Sequence, residues 1–224
     1  MAEIMLWSVF GVLSAAHVIS CRMRAELFRR ATKVLLMPAL LAAALSHRAF
    51  SLQDNALCIA AALLCGTAGD FFLLRPERTK RFICGAACFF LGHLAWLKAY
   101  REAVVISAFS SPVFAVLYIV YGVFCVFMWF ALNRPKGALG AAVVLYTLML
   151  SLLHLVSITA LLYGTAAAPL FFAGSSLFLL SDGILALSVY NKKAVSWLAA
   201  HDFWIMLTYT GAETCLTLGA LLYL

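Results

Sequence analysis

Charged residues are scarce in this sequence: Asp, Glu, Lys and Arg make up 11% of its 224 residues, and hydrophobic residues make up 66%. A soluble domain carries about 25% charged residues, so this composition excludes a water-soluble globular protein. The mean hydropathy of +1.03 indicates a chain solvated by lipid. Each membrane-spanning helix needs about 20 mostly apolar residues. We therefore expect one transmembrane domain over residues 1–224, with no separate soluble domain.

The sequence also lacks the short motifs of common hydrolases, metalloproteases and nucleotide-binding proteins, because no GxSxG, HExxH, P-loop or dinucleotide fingerprint occurs in a usable context. Its seven cysteines form no CxxC pair, and Cys84 and Cys88 have no neighbouring ligands that complete a tetrahedral metal site. We therefore expect no metal site at these two cysteines. The basic residues behind the net charge of +7 are dispersed, which favours a lipid bilayer over nucleic acid as the partner.

Apolar runs separated by short polar connections predict an all-α bundle of eight transmembrane helices. The runs lie near residues 4–20, 32–46, 55–74, 82–100, 113–132, 138–161, 169–189 and 203–223. The N-terminus lacks the basic region of a signal peptide, so we expect the first run to be a retained span. The second run is short, which indicates a tilted or partly re-entrant helix.

Basic residues are distributed unevenly between the two sides of this bundle. Thirteen of the 16 Lys and Arg follow the first, third, fifth and seventh runs, and the other three lie on the opposite side. Cytoplasmic loops carry an excess of Lys and Arg. We therefore expect both termini to lie outside the cytoplasm. The larger set comprises Arg22, Arg24, Arg29, Arg30, Lys33, Arg75, Arg78, Lys80, Arg81, Arg134, Lys136, Lys192 and Lys193.

Three acidic residues fall inside predicted spans: Asp70, Asp182 and Glu213. An ionised carboxylate at the bilayer centre costs about 2.5 kcal/mol or more, so each is expected to face the protein interior or water and to have a partner. A structural role for a single such acid is the alternative interpretation, and three together favour a functional site. At about 1.5 Å per residue, Asp70 lies about 7 Å and Asp182 about 15 Å from the basic loops that follow them.

Four further polar residues are predicted near these acids. Lys33 opens the second helix from the cytoplasmic side, and His93 comes close to the midplane, as Glu213 does. Tyr209 precedes Glu213 by one turn and is expected to share its helix face. Ser181 directly precedes Asp182. For His93, packing and pocket roles are evenly balanced.

Asp70 and Asp182 occur in similar contexts, beside small residues and before an apolar stretch that leads to a basic loop. They lie half a chain length apart, which is consistent with a parallel duplication of four helices that brings helices 3 and 7 together. Two carboxyl groups in a low-dielectric cavity share one proton, so that one serves as an acid and the other as a base. A site in the cytoplasmic half of the bilayer suits an amphiphile whose head group meets Lys33.

Several segments resemble, in the same order, the YhhN-like lysoplasmalogenase family. They are TKVLLMP at 32–38, GD at 69–70, RFICG at 81–85, FFLGHL at 89–94, FLLSDGILA at 178–186 and TYTGAE at 208–213. The resemblance extends over helices 2 to 8, with little from helix 5. One departure is Glu213, where the family usually has Gln.

The resemblance implies an eight-helix membrane hydrolase that cleaves the vinyl ether bond of lysoplasmalogens without a cofactor. A fatty aldehyde and a glycerophospho-base are the implied products. The candidate catalytic residues are Asp70 and Asp182. The candidate substrate-binding residues are Lys33, His93, Ser181, Tyr209 and Glu213.

Acid and base chemistry on such a lipid resembles glycoside hydrolysis by two carboxyl groups. The assignment of acid and base is left open, with the deeper Asp182 favoured as the acid. A proton-coupled transporter and a non-catalytic lipid-binding protein are the alternatives. Pro38, with no counterpart in helix 6, speaks against the broken repeat helices of many carriers. We expect an integral protein of a bacterial cytoplasmic membrane or of the endoplasmic reticulum, and the head-group preference and oligomeric state stay open.

Overall fold

The computed structural model describes residues 1–23, 26–48, 50, 54–198 and 200–223. Within these ranges the chain forms eight α-helices and three short 3-10 segments, and no strand. The helices are α1 (Ala2–Met23), α2 (Glu26–Leu45), α3 (Asp54–Phe72), α4 (Thr79–Ala99), α5 (Pro112–Ala131), α6 (Gly137–Leu162), α7 (Ala168–Tyr190) and α8 (His201–Leu221). The all-α prediction is confirmed for the described chain. Arg24, which was counted among the basic residues, lies outside the described ranges.

The second helix is longer than the sequence indicated, because it begins at Glu26 and not near residue 32. Glu26 accepts hydrogen bonds from Arg29 at 2.7 Å and from Arg30 at 2.8 Å, three and four residues further along the same helix. Pairs at this spacing stabilise a helix. Lys33 consequently lies in the body of α2 and does not open it.

Within the described ranges, six helices are long and apolar enough to cross a membrane: α1, α3, α4, α5, α6 and α7. The span count of eight and the orientation of the termini therefore stay predictions. The charged first turns of α2 distinguish it from these six. The composition and these helices together indicate an integral membrane protein.

Seven of the described helices close a ring in the order α1, α2, α3, α4, α6, α7, α8 and back to α1. The remaining helix, α5, lies outside this ring and packs against α6. Contacts of α8 with α2 and α3 cross the ring, so side chains of α8 reach its centre. Helices α3 and α7 are not one of the extensively packed pairs. The duplication hypothesis brought these two helices together, whereas α8 contacts both of them.

Glycines allow α3 and α4 to approach each other closely. A β-carbon on Gly69 would lie 2.5 Å from the ring of Phe89, and one on Gly85 would lie 2.7 Å from Leu73. Small residues at such positions permit close helix approach in membranes. The Phe89 ring is thereby held over α3 at Gly69, which directly precedes Asp70 in the sequence.

Candidate functional site

Asp70 lies in the last turns of α3 and is 2% exposed. The phenol of Tyr209 on α8 donates a hydrogen bond to Oδ2 of Asp70 at 2.9 Å. The ammonium of Lys33 on α2 lies 3.7 Å from Oδ1. Three helices thus supply one buried carboxyl group with a cation and a hydrogen-bond donor, as a buried charge requires. The sequence predicted all three residues for one site.

Asp182 on α7 accepts a hydrogen bond from the phenol of Tyr146 on α6. Its side chain is only partly buried, because it adjoins two cavities of about 40 Å³ each, both also lined by Tyr146 and Ala86. A cavity needs about 10 to 15 Å³ to hold a water molecule, so each has room for water beside this carboxyl group. Tyr146 was not predicted from the sequence, because it is one of several polar residues in α6 and has no distinguishing pattern around it.

An aromatic cluster connects the surroundings of the two aspartates. The ring of Phe178 on α7 lies 5.6 Å from the ring of Tyr209 and 4.5 Å from that of His93, measured between centroids. The ring of His93 lies 5.7 Å from that of Tyr146. These edge-to-face contacts fix the two tyrosines that donate to Asp70 and Asp182. Tyr209 is therefore linked to Tyr146 through Phe178 and His93.

His93 and Glu213 are each 1% exposed. The Nδ1–H of His93 donates to the carbonyl of Phe89 at 2.5 Å. Nε2 of His93 and Oε2 of Glu213 have no hydrogen-bond partner among the described residues. Buried polar atoms are normally satisfied, so both atoms are available to a ligand or to water.

Ser181 faces α8 and not the cavities beside Asp182. Its hydroxyl donates to the carbonyl of Ile205 at 3.1 Å, and the residue is fully buried. This hydrogen bond joins α7 to α8. The role of Ser181 in substrate binding, expected from the sequence, stays a prediction.

A polar cavity of about 200 Å³, here called the vestibule, opens beside Lys33 where α2 and α8 begin and α3 ends. Arg29 donates at 2.7 Å to Asp202 on α8 and at 2.7 Å to Glu26. The hydrogen bond from Arg29 lowers the pKa of Glu26. Among the described residues, the charged side chains of the vestibule are three cations and three anions: Arg29, Arg30, Lys33, Glu26, Glu77 and Asp202. The formal charges of these six side chains balance.

Two leucines separate the vestibule from the cavities beside Asp182. Leu73 and Leu185 line both the vestibule and one of the cavities that adjoin Asp182. Each follows an aspartate of the site by three residues, and so lies on the same helix face as that aspartate. The lining therefore changes from mostly charged in the vestibule beside Lys33 to mostly apolar in the cavities beside Asp182.

Within the described ranges, no group of three or more His, Cys, Asp and Glu side chains is arranged to hold a metal ion. The polar groups that face one another are carboxyl groups, phenols, an imidazole and an ammonium group. Such a set can transfer protons and stabilise a cation.

Comparison with known protein families matches residues 28–220 to the model of the YhhN family, and this match covers most of the chain. No curated protein and no solved structure matches the sequence. The matched range begins within α2 and ends within α8, so it includes every residue of the site named above except Glu26.

Proposed function

We propose that this chain, which belongs to the YhhN (lysoplasmalogenase) family, hydrolyses the vinyl ether bond of lysoplasmalogens within the membrane. The products are a fatty aldehyde and a glycerophospho-base. The observation that carries the proposal is the pair of carboxyl groups of Asp70 and Asp182, each of which accepts a hydrogen bond from its own tyrosine. Asp70 is paired with Lys33, which lines the charged vestibule, and Asp182 lines the adjoining apolar cavity. An amphiphile needs such a gradient, because its head is polar and its chain is not.

The reaction requires a proton donor at carbon. A carboxylic acid protonates the vinyl carbon remote from the ether oxygen, which leaves an oxocarbenium ion. Water adds to this cation as a carboxylate removes its proton, and the resulting hemiacetal collapses to aldehyde and alcohol. One proton is consumed and one is returned, so the pair as a whole keeps its single proton. Transfer of that proton from the second carboxyl group back to the first restores the starting state. Two carboxyl groups perform the corresponding steps in glycoside hydrolysis.

The surroundings of the two carboxyl groups suit different steps. Asp70 has the ammonium of Lys33 at 3.7 Å and the phenol of Tyr209 at 2.9 Å, and both partners stabilise a carboxylate. Asp182 adjoins mostly apolar cavities and has the Tyr146 phenol as donor. We assign proton donation to Asp182, and activation of water and stabilisation of the cation to Asp70.

The vestibule is assigned to the polar head of the substrate. Lys33, at the inner end of this cavity, contacts Asp70. A phosphate bound among Arg29, Arg30 and Lys33 therefore holds the glycerol beside the two aspartates. We propose that the vestibule opens toward the cytoplasmic leaflet, as the distribution of basic residues predicts.

The test is aldehyde release by the purified protein in detergent, with lysoplasmenylethanolamine as substrate. The saturated ether analogue is the substrate control, because it has no carbon that can be protonated. Asp70→Asn and Asp182→Asn are each expected to abolish turnover in a protein that still folds and unfolds in one cooperative thermal transition. Glu102→Gln makes the same carboxyl-to-amide change in the connection after α4 and is expected to leave turnover unchanged. Near wild-type turnover by either Asp variant would contradict the paired-carboxyl mechanism.

A further inference from the structure

An open apolar groove lies along the contact between α4 and α6, which are neighbours in the ring because α5 lies outside it. Its volume is about 460 Å³, within the range of about 300 to 1,000 Å³ that is usual for ligand sites. Five of its lining residues are alanines: Ala86 and Ala87 on α4, and Ala138, Ala141 and Ala142 on α6. Short side chains on two adjacent helices leave a trough between the larger side chains that flank them. We call this feature the alanine groove.

The alanine groove adjoins the candidate site. Ala86 and Tyr146 line the groove and also both cavities beside Asp182. Tyr146 moreover donates its phenol hydrogen bond to Asp182. One layer of side chains therefore separates the groove from the carboxyl group to which we assign proton donation.

The two ends of the site differ in chemistry. The vestibule is lined by six charged side chains, whereas the described lining of the alanine groove has a phenol as its one polar side chain. A ligand that occupies both must be charged at one end and a hydrocarbon at the other. The narrow trough between two helices matches a single linear chain.

We infer that the alanine groove binds the hydrocarbon chain of the substrate, with the vinyl ether carbons passing between Ala86 and Tyr146 toward Asp182. This inference rests on the proposed function and adds to it the determinant of chain length. A chain that lies in the groove is shielded from bulk lipid on two sides. Side chains that fill the groove must therefore discriminate against long chains more than against short ones.

Two substitutions that fill the groove test this inference. Ala87→Phe and Ala141→Phe place a large side chain in the trough, and both positions are exposed, so the fold has space for the ring. Ala15→Phe on α1 makes the same change at another exposed position and serves as the matched control. The measurement is kcat/KM for lysoplasmenylethanolamine with an octadecenyl chain and with an octenyl chain.

In both groove variants, the ratio of kcat/KM for the long chain to that for the short chain is expected to fall by about tenfold or more. The Ala15→Phe variant is expected to keep the wild-type ratio. An unchanged ratio in both groove variants, in a protein whose wild type hydrolyses both substrates, would overturn the groove assignment and leave the proposed function standing. A wild type that releases no aldehyde from either substrate would contradict the proposed function itself.

A binding measurement tests the groove independently of turnover. A saturated ether lysophospholipid with a photoreactive diazirine in its chain is irradiated with the wild-type protein, and the labelled residues are mapped. Labels in residues 83–91 or 138–146, reduced in Ala87→Phe and Ala141→Phe, are expected. Labels that map elsewhere, or that persist unchanged in both variants, would overturn the inference and indicate only lipid surrounding the protein.

Discussion

Tyr209 on α8 donates its phenol hydrogen to Oδ2 of Asp70 on α3 at 2.9 Å, across 139 positions of the chain. Tyr209 is 3% exposed and Asp70 is 2% exposed, so neither polar group has bulk water as a substitute partner. A hydrogen bond to a charged group contributes about 1.5 to 3 kcal/mol. The hydrogen bond from Tyr209 therefore positions the carboxylate of Asp70, which we propose as the base.

Tyr209→Phe is expected to lower kcat/KM by about 10- to 100-fold, because removal of the phenol costs the hydrogen bond to Asp70. Tyr100→Phe is the matched control: Tyr100 is also fully buried, but its phenol donates at 2.7 Å to the carbonyl of Leu216. The measurement is steady-state aldehyde release, with thermal unfolding recorded for both variants. Equal losses of activity in the two variants would show that a buried phenol matters only for packing.

The ion pair between Lys33 and Asp70 is expected to couple the two residues energetically. Lys33→Met leaves the buried carboxylate without its cation, and breaking a buried pair in this way costs about 3 to 5 kcal/mol. Lys33 retains 15% exposure of its side chain, so the lower end of this range applies. In the double variant Lys33→Met/Asp70→Asn, the uncompensated charge is absent, and most of the loss is expected to be regained.

The measurement is a double-mutant cycle of thermal unfolding in detergent, with Lys80→Met as the control substitution of a basic residue at the start of α4. Single variants whose effects simply add in the double variant would show that the two residues do not interact.

Gly69→Ala is expected to destabilise the protein by about 1 to 3 kcal/mol, as overpacking in a filled core does. The added β-carbon would lie 2.5 Å from the ring of Phe89. The centroid of that ring lies 5.8 Å from the centroid of the Tyr209 ring. Displacement of Phe89 is therefore expected to disturb Tyr209 and to lower activity. Gly122→Ala on α5 is the matched control, because its β-carbon has no neighbouring atom within 4 Å. A Gly69→Ala variant as stable and active as the control would contradict the close packing of α3 and α4.

The sequence predicted most of the helices because they are long apolar runs, whereas the charged first turns of α2 were not predicted to be helical. It predicted Asp70, Lys33 and Tyr209 together because charge inside a span needs a partner. It did not predict the partner of Asp182. Tyr146 is one of eight tyrosines, and no local pattern indicates that it faces α7. The position of α5 outside the ring was likewise not predicted, since hydropathy identifies spans and not their neighbours. The weak resemblance in helix 5 agrees with its position outside the ring.

The balanced charge of the vestibule leads to a prediction on head-group selectivity. In the part of the chain that the structure describes, three cations and three anions line this cavity, which suits a zwitterionic head group. Glu77→Gln leaves the lining with one excess positive charge, and Arg29→Gln leaves it with one excess negative charge. Opposite shifts in selectivity are therefore expected when lysoplasmenylethanolamine is compared with its N-acetylated form, which keeps the phosphate and lacks the ammonium charge.

Two unit charges at 4 Å in water interact by about 1 kcal/mol, so each substitution is expected to change the kcat/KM ratio of the two substrates by about fivefold. Glu77→Gln is expected to favour the N-acetylated substrate and Arg29→Gln the zwitterionic one, and both shifts decrease as salt is added. Arg22→Gln, at the end of α1 and outside the vestibule lining, is the control. Because a general loss of stability moves both substrates alike, only opposite shifts in the ratio identify the vestibule as the site of the head group. Shifts of the same sign in both variants contradict that assignment.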